Sequence, residues 1–198
     1  MAVANYQDLY GSLPPAYVPG PDGTPWHSWR VLILPQMEHA ALYNAYRFDE
    51  PWDGPHNSRL ADKIGSIYLR SGLDPATRRM TSFVAVVGPE TAWPGAKPLQ
   101  REQIGDGPGN TLLVVEVPDG DIPWMAPVDL RFNAMSFRIN DARGRALGSR
   151  LGGSRVTSVD NRVVNLYDDL PPAALRALLT ANGHEPVNLE ALPSGRRR

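Results

Sequence analysis

The residues best suited to chemistry in this 198-residue chain are four histidines, at 27, 39, 56 and 184, and scattered carboxylates. No two histidines stand at the spacing that puts two imidazoles on one helix face, so a helix-borne zinc centre has no basis. There is no cysteine, which removes disulfides, thiolate nucleophiles and Cys-ligated zinc together. Ligands for a hard cation such as calcium could come from the carboxylates of Asp49, Glu50 and Asp53 near His56, or from Asp119 and Asp121, but neither group sits in an EF-hand loop. No Gly-x-Ser-x-Gly elbow marks a serine nucleophile. Glu116 lies inside the β-branched run 111–117, and general acid/base work there would need a partner that the spacing does not supply. An edge position or a hydrogen-bonded structural role is the simpler reading. We therefore expect no catalytic, cofactor-binding or metal-binding residue, and keep a hydrolase built on Glu116 only as a third reading.

Two features favour binding over catalysis. Four of the five tryptophans adjoin a proline, as Pro25-Trp26, Pro51-Trp52, Trp93-Pro94 and Pro123-Trp124. A ring on a rigid loop is an inexpensive platform for a sugar or a Pro-rich ligand, whereas a ring plugging a small core is the plainer role. Seven arginines (131, 138, 143, 145, 150, 155 and 162) are opposed within their stretch only by Asp141 and Asp160. Residues 1–130 hold 9 basic and 15 acidic groups and residues 131–198 hold 11 and 6. That footprint suits an acidic surface or simply a solvated face; a nucleic-acid partner would bring net basic charge or a known module, and the net charge is -1. The Gly-rich stretch Gly105-Asp106-Gly107-Pro108-Gly109-Asn110-Thr111 runs into a β-branched segment instead of opening a helix, so it reads as a tight turn and not a phosphate cradle.

The elements that must position these residues are short. Gly and Pro make up 38 residues, about 19% against roughly 12% in average usage, which predicts many turns and no pure helical bundle. No apolar run approaches the roughly 20 residues needed to cross a bilayer, and the chain as written reads as soluble. Residues 2–10 predict the last turns of a helix stopped by Gly11 and Pro14-Pro15. Ser28 is the expected N-cap of one kinked or two short helices interrupted by Pro35, and 58–64 predicts another short helix. Residues 81–87 and 111–117 predict strands; 155–159 and 162–166 predict a hairpin turning at Asp160-Asn161. Residues 171–182 predict a helix with Leu175, Leu178 and Leu179 on one face, after which 184–198 frays. Helices first, then antiparallel strands, then a closing helix amount to an α+β fold in one domain over 1–183 with a tail over 184–198.

Several segments in order resemble the planctomycete pseudopilin-like family, domain of unknown function 1559. They are Asn5-Tyr6-Gln7-Asp8 to Pro14-Pro15-Ala16, Ser28 to Pro35, Asp49-Glu50-Pro51-Trp52-Asp53, Thr81 to Gly88, and Ile104 to Glu116, within residues 5–182. Members begin with a prepilin-type cleavage and methylation helix and end with a His-x9-Asp-Gly signature. The step from the first helix into the body also looks like that of type II secretion pseudopilins. Three departures stand out. The apolar amino-terminal helix is not in this sequence, and Tyr68-Leu69-Arg70-Ser71-Gly72 lacks the Cys of a Cys-Pro-Ser turn. The signature positions carry Arg150 and then Asp160-Asn161, although Gly152-Gly153 remain.

The resemblance implies a non-enzymatic head, a small antiparallel sheet packed against helices. Its partners would be other pilin-like subunits or envelope proteins on the periplasmic side, with no nucleic acid and no membrane contact by this chain as written. A chain without signal or anchor would instead stay cytoplasmic. The alternative function is an envelope or partner-protein binding module using the loops of Trp26, Trp52, Trp93 and Trp124, or the Arg-rich stretch.

Overall fold

The structure, a computed structural model, describes residues 1–65, 67–69, 79–118, 121–150 and 152–192. It is an α+β arrangement of short elements in two compact units, the chain passing between them several times: Met1–Ser82, Gly95–Pro98 and Gly120–Val128 form one, and Phe83–Pro94, Leu99–Asp119 and Asp129–Arg198 the other. This grouping redistributes the charge. The first unit holds 8 basic and 9 acidic residues and the second 12 of each, so the charge asymmetry between the two ends of the sequence is not one between the units.

In the first unit, helix α1 (Ala2–Tyr10) ends where Gly11 takes a left-handed φ of 76° and its N–H returns to Gln7 O, a conformation that glycine adopts without a Cβ penalty. Strands β1 (Tyr17–Pro19) and β2 (Pro25–Ser28) form an antiparallel hairpin, its turn tied by Asp22 Oδ1, which accepts from the Thr24 N–H and hydroxyl. Helix α2 (Trp29–Leu32) starts at the expected cap, Ser28, whose Oγ accepts from Arg30 N. Pro35 opens a separate 3-10 turn, Pro35–Met37, closed by Glu38 at a φ of 64°, and α3 (Ala40–Ala45) follows. The helix expected over 58–64 is a 3-10 helix, Asn57–Ile64. Val31, Leu34, Leu42, Tyr46, Ile64, Tyr68, Trp124 and Met125 make the buried cluster on which these pieces close. Burying each such side chain stabilises by about 1.5–3 kcal/mol.

The second unit is built on a four-stranded antiparallel sheet ordered β10-β9-β6-β4, from β4 (Phe83–Val84), β6 (Leu112–Glu116), β9 (Ser154–Ser158) and β10 (Val163–Leu166). The expected hairpin is present: β9 pairs with β10 from Thr157↔Val163 to Ser154↔Leu166, and Asn161 turns at a φ of 67°. Helix α4 (Pro172–Leu179) packs against β6 with Leu175, Leu178 and Leu179 buried. It is shorter than the expected 171–182, because Thr180 turns extended and bridges to Thr91 while Ala181 N donates to Glu90 O. The segment expected to fray from 184 holds a 3-10 turn, Leu189–Ala191, with Leu189 buried.

The run 81–87 is not one strand. Met80–Thr81 (β3) pairs antiparallel with Ile122–Pro123 (β7), β4 pairs antiparallel with β6, and Val86–Val87 (β5) pairs parallel with Leu130–Arg131 (β8). The breaks fall where amides bond elsewhere: Ser82 N donates to Tyr68 O at 2.9 Å and Ala85 N to Asp129 Oδ1 at 2.8 Å. β-Branched side chains favour extended backbone but do not dictate which ladder it joins.

Candidate interaction sites

The Gly-rich loop is the tight turn expected. Gly107 N donates to Ile104 O, Asn110 N to Gly107 O, and the Thr111 hydroxyl to Gly107 O, and the loop feeds β6. Its side chains clamp the turn after α4. Asp106 Oδ1 accepts from His184 N and Oδ2 from Gly183 N, both at 2.7 Å. Asn182 accepts from Gly105 N and donates to Gln103 O, and Asn110 Oδ1 accepts from Leu189 N at 3.0 Å. Between loop and turn lies a shallow cleft of about 240 Å³ lined by residues including Asp106, Asn110, His184 and Glu185. His184 Nδ1 is 3.6 Å from Asp106 Oδ1, beyond hydrogen-bond range. The Asp106 carboxylate is engaged in holding backbone, so it anchors the turn, and the Thr180 hydroxyl lies 3.4 Å from both the Asp106 and Glu185 carboxylates. Nothing in the spacing of 106 and 183–184 marked this clamp.

Of the family-signature positions, Asp160 and Asn161 form the hairpin tip, while Arg150 precedes β9 at the open end of the hairpin. Asp160 accepts from the Ser158 hydroxyl and from Arg162 Nη2 at 2.8 Å, and Arg162 also pairs with Glu190. Although burial opposes it, the Ser158 hydroxyl and the Arg162 guanidinium hold the Asp160 carboxyl below its usual range. Gly109 lies beneath this pair, where a Cβ would sit 2.8 Å from Arg162 Nη2. Asn161 supplies the left-handed turn residue and Arg150 is exposed. The described contacts of Asp160 and Asn161 stabilise the hairpin.

The four proline-adjacent tryptophans divide in two. Trp93 and Trp124 are 1% and 0% exposed, and their indole N–H groups donate to Leu113 O and Ala61 O. They are core plugs, with no face left for a ligand. Trp26 and Trp52 are half-buried and adjoin each other, since Trp52 N donates to Trp26 O at 3.1 Å. Trp26 lies flat over Gly20, at which a Cβ would come within 2.2 Å of the ring. His27 is buried behind them, Nδ1 2.9 Å from the Tyr46 hydroxyl, and burial lowers its pKa despite a bond with the Phe48 backbone.

Glu116 lies in β6, an interior strand, so the edge reading is corrected; the hydrogen-bonded reading holds, its Oε2 accepting from Arg155 N at 3.2 Å. Glu50 Oε1 accepts from His56 N and Asn57 N, and His56 Nε2 lies 2.8 Å from Ala45 O. Asp49 and Asp53 are exposed. Asp121 is exposed and Asp119 lies outside the described residues, as do Arg70-Ser71-Gly72. Among the described residues no three His, Asp or Glu side chains gather as metal ligands. Of the arginine stretch, 131, 138, 143, 145, 150 and 155 are exposed and 162 is half-buried. Asp141 pairs with Arg143, whose backbone N–H leads the contacts that lower the Asp141 pKa to about 2. Arg176 of α4 lies over the Phe132 and Phe137 rings at 4.9 and 5.3 Å.

The amino-terminal part, with its glycine-capped helix and Trp-Pro loops, can be matched to known families. Residues 1–78 match the family described as Protein of unknown function (DUF1559). The DUF1559 resemblance read from the sequence is borne out at that level, over α1, the β1–β2 hairpin, α2, α3 and the 3-10 helix that follows. No curated protein and no solved structure matches the chain. Among the described residues no helix is long and apolar enough to cross a membrane.

Proposed function

We propose that the chain is a non-enzymatic, pseudopilin-like head that serves assembly or display in a cell-envelope filament or secretion-type apparatus, with pilin-like subunits or envelope proteins as partners on the periplasmic side. The observation that carries the reading is the junction at residues 2–16. A helix running from Ala2 closes on left-handed Gly11, and Pro14-Pro15 follow, within the stretch that matches DUF1559. This is the helix-to-body step that the resemblance implies. Engagement of Asp106 and Glu116 in backbone hydrogen bonds supports a binding or structural role over the hydrolase reading.

Sedimentation velocity tests the proposal. The 198-residue chain should run as a monomer or weak dimer, and a form extended by a native upstream apolar helix, where the gene encodes one, should assemble. Filaments from the present chain, or an extended form that stays monomeric, would refute it. The binding-module reading is favoured by one observation, the half-exposed Trp26-Trp52 pair.

A further inference from the structure

Trp26 and Trp52 differ from the buried tryptophans in one respect beyond exposure. Neither indole N–H has a hydrogen-bond partner among the described residues, whereas those of Trp93 and Trp124 are bonded to backbone carbonyls. An aromatic cluster continues from Trp26 through the buried His27 ring to the exposed Phe48 and half-buried Tyr43. The His27 ring is 6.2 Å from Trp26, Phe48 is 5.0 Å from His27, and Tyr43 is 5.5 Å from Phe48. Phe48 is 40% exposed. Tyr43 and Trp52 both pack on the buried cluster of this unit, so the strip is held in place from beneath and little side-chain freedom is lost when a ligand docks.

Two features select the ligand. Donor-only indole N–H groups on an apolar surface call for acceptors that arrive together with apolar groups. A polyproline II segment has that chemistry: its carbonyls bond to nothing within the helix, its proline rings are apolar, and its order precedes binding. The second feature is charge. Asp49 and Asp53 are exposed and take no ion pair or hydrogen bond among the described residues, while the segment from Tyr46 to Asp53 offers Arg47 as its one cation. A basic residue beside the prolines would meet them.

We propose that Trp26, Trp52, Phe48 and Tyr43, rimmed by Asp49 and Asp53, form a docking strip for an extended Pro-rich peptide flanked by Arg or Lys. The proposal does not depend on the assembly reading, and either can fail alone.

The test is a titration of uniformly 15N-labelled protein with an acetylated, amidated hexaproline peptide carrying one arginine at each end, followed on the indole N–H signals. The Trp26 and Trp52 signals should shift and saturate while those of Trp93 and Trp124 stay in place. A Gly-Ser peptide with the same arginines should bind at least about tenfold more weakly. Phe48→Ala should weaken binding by roughly tenfold. Should that variant unfold, the surface pair Asp49→Asn with Asp53→Asn should weaken binding and flatten its salt dependence. Immobile Trp26 and Trp52 signals at millimolar peptide would overturn the proposal. So would equal binding of the Gly-Ser peptide, or saturable shifts with cellohexaose and none with the proline peptide.

Discussion

Asp106→Ala removes one side chain that holds two backbone amides, and the structure fixes how much that should cost. Both amide contacts, from Gly183 and His184, are 2.7 Å long, and the carboxylate side chain is 8% exposed. A hydrogen bond to a charged group contributes about 1.5–3 kcal/mol. Because the turn lies at the surface, water replaces part of what is lost, which brings the expected destabilisation to about 2–4 kcal/mol. For a chain of this size that is a fall in Tm of about 4–15 °C, read by calorimetry or far-UV circular dichroism, with the midpoint of urea unfolding as a second measure. Asp106→Asn keeps the shape and one acceptor but turns an NH2 group toward one donor, so it should lose about half as much. A loss below about 0.5 kcal/mol in the Ala variant, within the range of ordinary surface changes, would show that the loop does not clamp the segment after α4. An Asn variant as damaged as Ala would show that the carboxylate's charge, and not its two acceptor positions, carries the effect.

Leu178, 0% exposed where α4 meets the sheet, should cost about 2–5 kcal/mol as Leu178→Ala, and an unchanged melting curve would make α4 peripheral. His27 is neutral in its buried site, with a native pKa below the ordinary 6.5. Its contribution to stability is therefore complete above about pH 6.5 and declines as pH falls toward the lowered native value; melting scans from pH 7 to 5 should show that slope in the wild type and a shallower one in His27→Gln. Asn161 at a φ of 67° should tolerate Asn161→Gly and lose about 1 kcal/mol as Asn161→Ala, since only the latter meets a left-handed Cβ penalty. Calcium at millimolar concentration should leave Tm unchanged, and a reproducible rise abolished by Asp53→Ala would establish a cation site.

Local signals served the fold well where one residue decides the geometry. Gly11 closing α1, Ser28 capping α2 and Asn161 turning the β9–β10 hairpin are each settled by one side chain or its absence, and each was legible. Pairing was not: 81–87 contains enough valine and threonine to be extended, yet its three partners depend on Tyr68 O and the Asp129 carboxylate, both distant in sequence. The same limit shortened α4, since the Thr91–Thr180 bridge is a long-range contact. At the candidate sites, Pro-Trp adjacency drew attention to four rings but could not separate the buried Trp93 and Trp124 from the half-exposed Trp26 and Trp52; that distinction depends on whether a carbonyl elsewhere in the fold reaches the indole. Phe48 and Tyr43 carried no motif and entered only through ring contacts. The arginine stretch looked like a charge domain because acids from 83–119 that fold with it are remote in sequence.

The proposed role of this domain is that of the head of an envelope assembly protein. Its most direct test is fractionation of native cells with an antibody against the head, together with the reading frame upstream of Met1. An in-frame apolar helix continuous with α1 is expected, with the head recovered in the envelope fraction in a form larger than a monomer after mild detergent extraction. A stop codon immediately upstream, with the head monomeric in the cytoplasm, would contradict it.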